Sequence, residues 1–323
     1  MEWLVERGIG EDRALLLDHD RAIAARLAWP RMLSAGTIAE GVLASRRTGA
    51  SRGTMRFADG SEALIDQLPQ NAREGAPMIV EILREAIAEQ GRFKLARCRA
   101  SAAPPRPAPT LAERLSASGI EVATTRRFPA GLWEEVLDEA WDGAVAFAGG
   151  ALVIAVTPAM VVIDIDGTLP PRELALAAVP AIAGAIHRLD LAGAIGIDFP
   201  SLAQHADRQA VDTALATALA GWRHERTAMN GFGFVQLVAR LTRPSLPAML
   251  ARDRAGAAAR RLLRVAEAVE APGALLLTAH PAVRAAMRRE WIEALARRSG
   301  RMLRWHEDAS LALLAGFAQA VPP

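Results

Sequence analysis

Apolar positions change their rhythm twice along this chain. Up to residue 99 they fall in short runs, "EWLVERG", "RALLLDH", "RAIAARLAW", "GTIAEGVLASR", "GTMRFADG", "EALI", "PMIVEILREA" and "RFKLARC", separated by Gly, Asp and Pro turns. Short alternating runs predict β-strands, and many of them at close spacing predict a small sandwich or barrel. Residues 100–110, "ASAAPPRPAPT", then place proline at 104, 105, 107 and 109. Proline supplies no backbone donor and disrupts helix and sheet alike, so this stretch predicts a linker between domains. Beyond it, helical patterns at "TLAERLSASG" and "AGLWEEVLDEAW" alternate with strand patterns at "IEVATT", "AVAFAG", "GALVIAVT" and "MVVIDID". A helix over 171–189, a strand "AGAIGIDF", a helix over 207–222 and a strand "GFGFVQLVARL" continue the alternation. Residues 111–246 therefore predict an α/β layer structure with some parallel pairing. A helix over 248–270, the strand "GALLLTA", a helix over 281–297 and "RMLRWHE" predict a small α/β unit over 247–323. The fold class expected is α/β, α+β over the whole chain.

Composition narrows the setting. The 323 residues suit two or three domains. No apolar run approaches the roughly 20 residues of a spanning helix; the longest, "AVAFAGGALVIAVTPAMVVIDIDG", is broken at "GG" and "TP". The opening "MEWLVERGIGEDR" has no signal-peptide pattern. Cys98 is the only cysteine, which excludes an internal disulfide and a cysteine zinc site. The expectation is a cytoplasmic protein without a membrane partner. Net charge is +2, too small for global attraction to nucleic acid, so any such contact must rest on local clusters. Lys94 is the only lysine; in a chain also rich in alanine and glycine that bias points to GC-rich coding ahead of phosphate recognition.

The candidate chemistry lies in "MVVIDIDGTLP", residues 160–170. Side chains two apart on a strand share a face, so Asp164 and Asp166 point one way and Ile163 and Ile165 the other. A second apolar strand, "AIGIDFP", ends at Asp198. One helix separates the two, a crossover of βαβ size, which predicts both strands in one sheet. Aspartates at the ends of neighbouring strands can share a hard cation that keeps several waters. The alternative is that each Asp merely caps the turn that follows it.

Two family resemblances bear on these residues. "VVIDIDGTL" resembles the first motif of the haloacid-dehalogenase-like phosphatases, which implies Asp164 as nucleophile and Asp166 as acid and base. That family also uses a downstream lysine, and this chain has none. The succession "VVIDIDG", "HRLDLAGAIGIDF" and "NGFGFVQLVARLTRPSL" resembles the catalytic core of the ribonuclease E/G family. Weaker similarity runs through "GTIAEGVL" to "RFKLARC" and through "LLRVAEAVEAPGALLLTAHPAVRAAM", and so touches most of the chain. The resemblance implies an OB-like RNA-binding barrel within residues 1–99, an RNase H-like core over 111–246 and a small C-terminal domain. It implies cleavage of single-stranded RNA, with Asp164 and Asp198 holding magnesium, or manganese in its place, and Asp166 assisting. Five departures accompany it: the Pro-rich linker stands where the family carries its insertion for sensing 5′-phosphate; the zinc-link cysteines are absent; the family's base-stacking aromatic aligns with Leu64, with Phe57 nearby; the loop after Asp166 is shorter; and Asp166 itself stands where the family usually has asparagine. No zinc is expected, and a homo-oligomer would form without a zinc link. A non-catalytic RNA-binding relative is the third reading.

Arg46, Arg47, Arg52 and Arg56 cluster near Phe57 in the barrel region, a pattern that suits a single-stranded path or an ordinary solvated hairpin. Arg240 and Arg243 follow the "GFGF" strand and are candidates for RNA phosphates. The six histidines show no ligand spacing. Trp133 and Trp141 share a helix face and predict core packing.

Overall fold

The computed structural model describes residues 1–29, 33–46, 51–89 and 92–322, apart from the side chains of 88–94. Strands β1 (Glu2–Arg7), β2 (Asp12–Asp18) and β3 (Arg21–Ala28) form an antiparallel meander. Next comes a closed barrel of β4 (Ile38–Arg46), β5 (Arg52–Arg56), β6 (Glu62–Asp66) and β7 (Pro77–Arg84), completed after the hairpin of β8 (Ile87–Glu89) and β9 (Arg92–Lys94) by β10 (Ala96–Ala100). The barrel order is β10-β6-β5-β4-β7; β6 and β10 run parallel and the other neighbours antiparallel. This five-stranded closure is compatible with an OB-like barrel. Leu43, Met55, Phe57, Ile65, Ile82 and Cys98 fill it, and burial pushes the Cys98 thiol up to about 12.

The Pro-rich segment forms no helix, but it is not wholly irregular. Arg106 bridges back to Ile38 at the start of β4, and Pro109 lies against Gly36. Helix α1 (Leu111–Ser116) opens with a capping box between Thr110 and Glu113. Strand β11 (Val122–Thr125) then pairs in parallel with β1, giving the sheet order β11-β1-β2-β3. Residues 2–28, grouped with the barrel by sequence rhythm, thus share a sheet with residues beyond the linker, and the barrel is inserted between β3 and α1.

Helix α2 (Leu132–Asp142) leads into a six-stranded sheet built from β12 (Ala144–Phe147), β13 (Gly150–Val156), β14 (Val161–Gly167), β15 (Gly193–Asp198), β16 (His224–Arg226) and β17 (Phe234–Ala239). Its order is β12-β13-β14-β15-β17-β16, and β14–β15 is the one parallel pair. Helix α3 (Pro171–Arg188) makes the crossover between β14 and β15, and α4 (His205–Ala218) follows β15. One sheet face is apolar: Leu152, Ile154, Ile163, Ile165, Ile195, Ile197, Val235 and Leu237 are buried with α3. The meander contributes Leu15, Ala25, Leu27 and Trp29 to the same core, and α3 contacts both sheets. Coverage by two sheets explains why α3 is apolar around so much of its circumference.

The predicted helix over 248–270 is two helices, α5 (Leu246–Arg252) and α6 (Arg254–Glu267), broken at Asp253, whose side chain caps the second through Gly256 N–H. The predicted helix over 281–297 likewise divides into α7 (Pro281–Ala286) and α8 (Arg289–Ser299). With β18 (Ala274–Ala279), β19 (Leu303–Glu307) and β20 (Phe317–Val321), ordered β19-β18-β20, they form the C-terminal unit. Charge crosses its junction with the meander. Buried Glu11 accepts a hydrogen bond from Arg264 and one from Trp29 Nε1 at 3.2 Å, and lies 3.7 Å from Arg13 Nε. Arg260 donates to Gly10 O at 3.0 Å and lies between the Trp29 and Trp291 rings.

Candidate active site

The crossover brings the aspartates together as the strand pattern predicts. In the β14–β15 ladder Asp164 is the direct partner of Asp198, which places their backbones about 4.8 Å apart. Ile163 and Ile197 point into the core, so both carboxylates project from the open face, and Asp166 lies on that face two residues farther along. Asp164 Oδ1 accepts from Ile165 N–H at 2.9 Å. No ion pair to Asp164, Asp166 or Asp198 occurs among the described residues. Asp164 and Asp198 are thus neighbouring like charges, and a cation between them would relieve their repulsion. Among the described residues no three His, Cys, Asp or Glu side chains gather as a metal-binding group. The donor set is therefore two exposed carboxylates, which fits a hard cation that retains its waters.

The surrounding turns are shaped by backbone demands. Gly150 pairs with Gly167 just past Asp166; a Cβ at Gly150 would meet Asp166 O at 2.3 Å. The "DG" pair thus ends β14 where two strands approach too closely for side chains. Gly233 has φ of 90°, and a Cβ there would lie 2.4 Å from Phe199 O. Phe199 N–H donates to Gly233 O at 3.2 Å, tying this turn to the residue after Asp198. Asn230 Oδ1 accepts from the N–H groups of Phe232 and Phe234 at 2.9 and 3.0 Å. That turn presents Phe232 with 83% of its surface exposed, while Phe234 pairs with Asp198.

No family model matches this chain, and no curated protein matches its sequence.

The predicted RNA-contact residues divide by location. Phe57 is only 4% exposed and packs inside the barrel, so it presents no ring to a base; an aromatic at the end of an amphipathic strand was read for its chemistry when its facing decides the matter. Leu64, in contrast, is 41% exposed on the barrel surface, paired with Thr54 on one side and Arg97 on the other. Arg52 pairs with Asp66 at 3.0 Å, and Arg56 with Glu62 at 3.0 Å. Arg97 also binds Asp66, and this hydrogen bond holds the Asp66 carboxyl below its usual range. Arg46 donates to Ala72 O at 2.9 Å. Arg47 lies outside the described residues. Exposed ion pairs contribute little, so these arginines can exchange a carboxylate for a phosphate at small cost.

Arg240 and Arg243 are at the wrong end of the sheet. Because β17 runs antiparallel to β15, Ala239 pairs with Gly193 and Phe234 with Asp198. Both arginines lie beyond Ala239, at least about 17 Å from Asp198 by strand rise. Arg243 is moreover bound to Asp190 at 2.9 Å. They follow "GFGF" in sequence and were candidates for RNA phosphates; strand direction sets them apart from the aspartates. Arg172, paired with Asp207 at 2.9 Å, and Arg208, which donates to Leu202 O at 2.6 Å, lie in the first turns of the helices that follow β14 and β15. Neither was singled out from sequence, nor was Phe232. The signal for Phe232 was available: an aromatic between two glycines in a turn has no core to enter.

Proposed function

We propose that this chain is a metal-dependent endoribonuclease of the ribonuclease E/G type, acting on single-stranded RNA. The supporting observation is the in-register pairing of Asp164 with Asp198 on parallel strands, with both carboxylates exposed and in no ion pair among the described residues. Asp164 and Asp198 hold magnesium, with manganese as a substitute. When bound, the ion acidifies water and offsets charge developing on the phosphodiester. Asp166, on the same face, accepts hydrogen bonds from water at the site and so orients it toward phosphorus. Phe232 offers a ring on which a base near the scissile bond stacks, and Arg172 and Arg208, in the first turns of the helices after β14 and β15, offer charge to backbone phosphates. In this reading the six-stranded sheet takes the part of the RNase H-like core, and the barrel is an OB-type RNA-binding module using its Leu64 face with Arg52, Arg56 and Arg97.

A phosphatase using Asp164 as nucleophile needs a cation against the transferring phosphoryl group. No basic side chain pairs with Asp164 or Asp166 among the described residues, which weighs toward the metal clamp.

One assay discriminates among the readings. A fluorescent single-stranded RNA and, separately, a small phosphomonoester are incubated with wild type, Asp164→Asn and Asp198→Asn protein, with magnesium or with chelator. The endonuclease reading expects RNA cleavage that is lost with chelator and in both variants, with RNA affinity largely retained. Undiminished cleavage in either variant refutes the mechanism. Phosphomonoester turnover would establish the phosphatase, and binding without turnover of either substrate the non-catalytic relative.

A further inference from the structure

Apart from the paired aspartates, the loop between β16 and β17 carries a chemistry of its own. Only two asparagines occur in the 323 residues, and Asn230 is the one followed by glycine. It stands exposed at the tip of this loop. Backbone bonds fix the tip: Asn230 N–H donates to Phe234 O at 3.1 Å, and Gly233 N–H donates to Asn230 O at 3.2 Å. Thr227 Oγ1 accepts from Gln236 N–H at 3.0 Å and closes the base of the loop.

The Asn230 side chain is arranged for attack by its own backbone. Its Oδ1 accepts from Phe232 N–H at 2.9 Å and from Phe234 N–H at 3.0 Å, so the carboxamide folds over the Gly231 peptide as an Asx turn. Two fixed N–H donors on one carbonyl oxygen stabilise the oxyanion that forms when a nucleophile adds to the carbon. The adjoining nucleophile is the Gly231 nitrogen. Its N–H makes no hydrogen bond among the described residues, and neither does Asn230 Nδ2, the group that would leave. Gly231 also has no Cβ to shield its nitrogen.

We propose that Asn230 is a site of spontaneous deamidation promoted by this turn. Hydroxide removes the Gly231 N–H proton, the nitrogen attacks Asn230 Cγ, and the Cγ–Nδ2 bond breaks to release ammonia. A cyclic imide results, in which the Gly231 nitrogen is bonded to both carbonyl carbons of residue 230. Water then opens it at either carbonyl, giving aspartate or the β-linked isoaspartate, and no oxidant or cofactor enters the balance. Either product adds a carboxylate to a turn whose Gly233 O accepts from Phe199 N–H, next to Asp198. The β-linked product also lengthens the main chain by a methylene ahead of Phe232. That ageing thereby displaces Phe232 from RNA rests on the endonuclease reading; the deamidation itself does not.

The test holds full-length protein in chelator at pH 8, either native or unfolded in guanidinium chloride, and follows the tryptic peptides 57–73 and 227–240 by mass spectrometry. They carry Asn71 and Asn230, and brief digestion at pH 6 keeps the reaction from running during preparation. In the native protein Asn230 is expected to convert at least about tenfold faster than Asn71, which is exposed but followed by alanine. The native rate at Asn230 is expected to equal or exceed that of the unfolded chain, because only the folded turn supplies both donors. Gly231→Ala, where an added Cβ meets nothing within 4 Å, is expected to slow conversion at least about tenfold with the fold unchanged. Equal rates at the two asparagines, a native rate below that of the unfolded chain, or an undiminished rate in the Gly231→Ala protein would overturn the proposal. Single-stranded RNA affinity is then compared between aged wild type and aged Gly231→Ala protein, with a loss of at least about fivefold expected in wild type alone. Equal affinity refutes the effect on Phe232, whereas absence of binding by fresh protein refutes the endonuclease reading instead.

Discussion

Replacing Glu11 with alanine removes a carboxylate on which two parts of the molecule converge. Its side chain is 4% exposed and contacts Arg264 from α6, Trp29 Nε1 at 3.2 Å and Arg13 Nε at 3.7 Å. Burial lowers the Arg264 guanidinium to about 10, so it remains charged at neutral pH and needs its counter-charge. Removing one member of a buried pair costs about 3–5 kcal/mol, because the other charge stays behind without compensation. That is a large part of the 5–15 kcal/mol that stabilises a typical fold. The expected loss for Glu11→Ala is therefore about 4 kcal/mol, read as a lower urea midpoint at pH 7. Arg7→Ala breaks only a long contact of 3.9 Å whose arginine lies in solvent, and is expected to cost under about 0.5 kcal/mol. The combination Glu11→Leu with Arg264→Met removes both charges and should recover at least half of the loss. A single-variant cost below about 1 kcal/mol, or a double variant no better than Glu11→Ala, would refute the reasoning.

Four further outcomes follow from geometry. Asp164→Asn or Asp198→Asn should abolish magnesium-dependent RNA cleavage yet leave the apo protein's melting temperature unchanged or higher, since one of two adjacent like charges is gone; a clear drop in melting temperature argues for a structural role. Phe232→Ala should weaken single-stranded RNA binding by about 1–3 kcal/mol, roughly five- to 150-fold, without altering the circular dichroism spectrum; unchanged affinity removes Phe232 from the RNA path. Arg240→Ala should change RNA affinity less than twofold, and a tenfold loss would show that RNA crosses the far end of the sheet. Cys98 has its ionisation raised by burial, to about 12, so at pH 8 it stays a thiol and should react with a thiol reagent only on unfolding. Rapid labelling of the native protein contradicts that placement.

Local patterns carried the element list, while pairing partners lay beyond their reach. The two "ID" strands were legible because an apolar run, a terminal aspartate and one intervening helix leave few arrangements, and the β14–β15 ladder is one of them. The meander was not separable from the barrel, because strands of both kinds alternate alike and nothing in residues 2–28 announces that β11 will pair with β1 across the linker. The breaks at Asp253 and between α7 and α8 were hidden inside continuous amphipathic patterns. Phe57 and the Arg240–Arg243 pair show the same limit at the site. Residue type suggested chemistry for each, but strand facing and strand direction decided whether it could reach a ligand.

The barrel's mode of attachment has an evolutionary consequence. Ile38 at its start bridges to Arg106 on its exit, Pro109 meets Gly36, and among the described residues its core cluster is separate from the one that joins the meander to the six-stranded sheet. Entry and exit at one narrow stalk make the barrel a cassette. A recombination event there can exchange one barrel for another without re-optimising the packing around Asp164 and Asp198. Substitutions in the barrel and around Asp164 and Asp198 are therefore free to accumulate at separate rates, each set answering to its own selection.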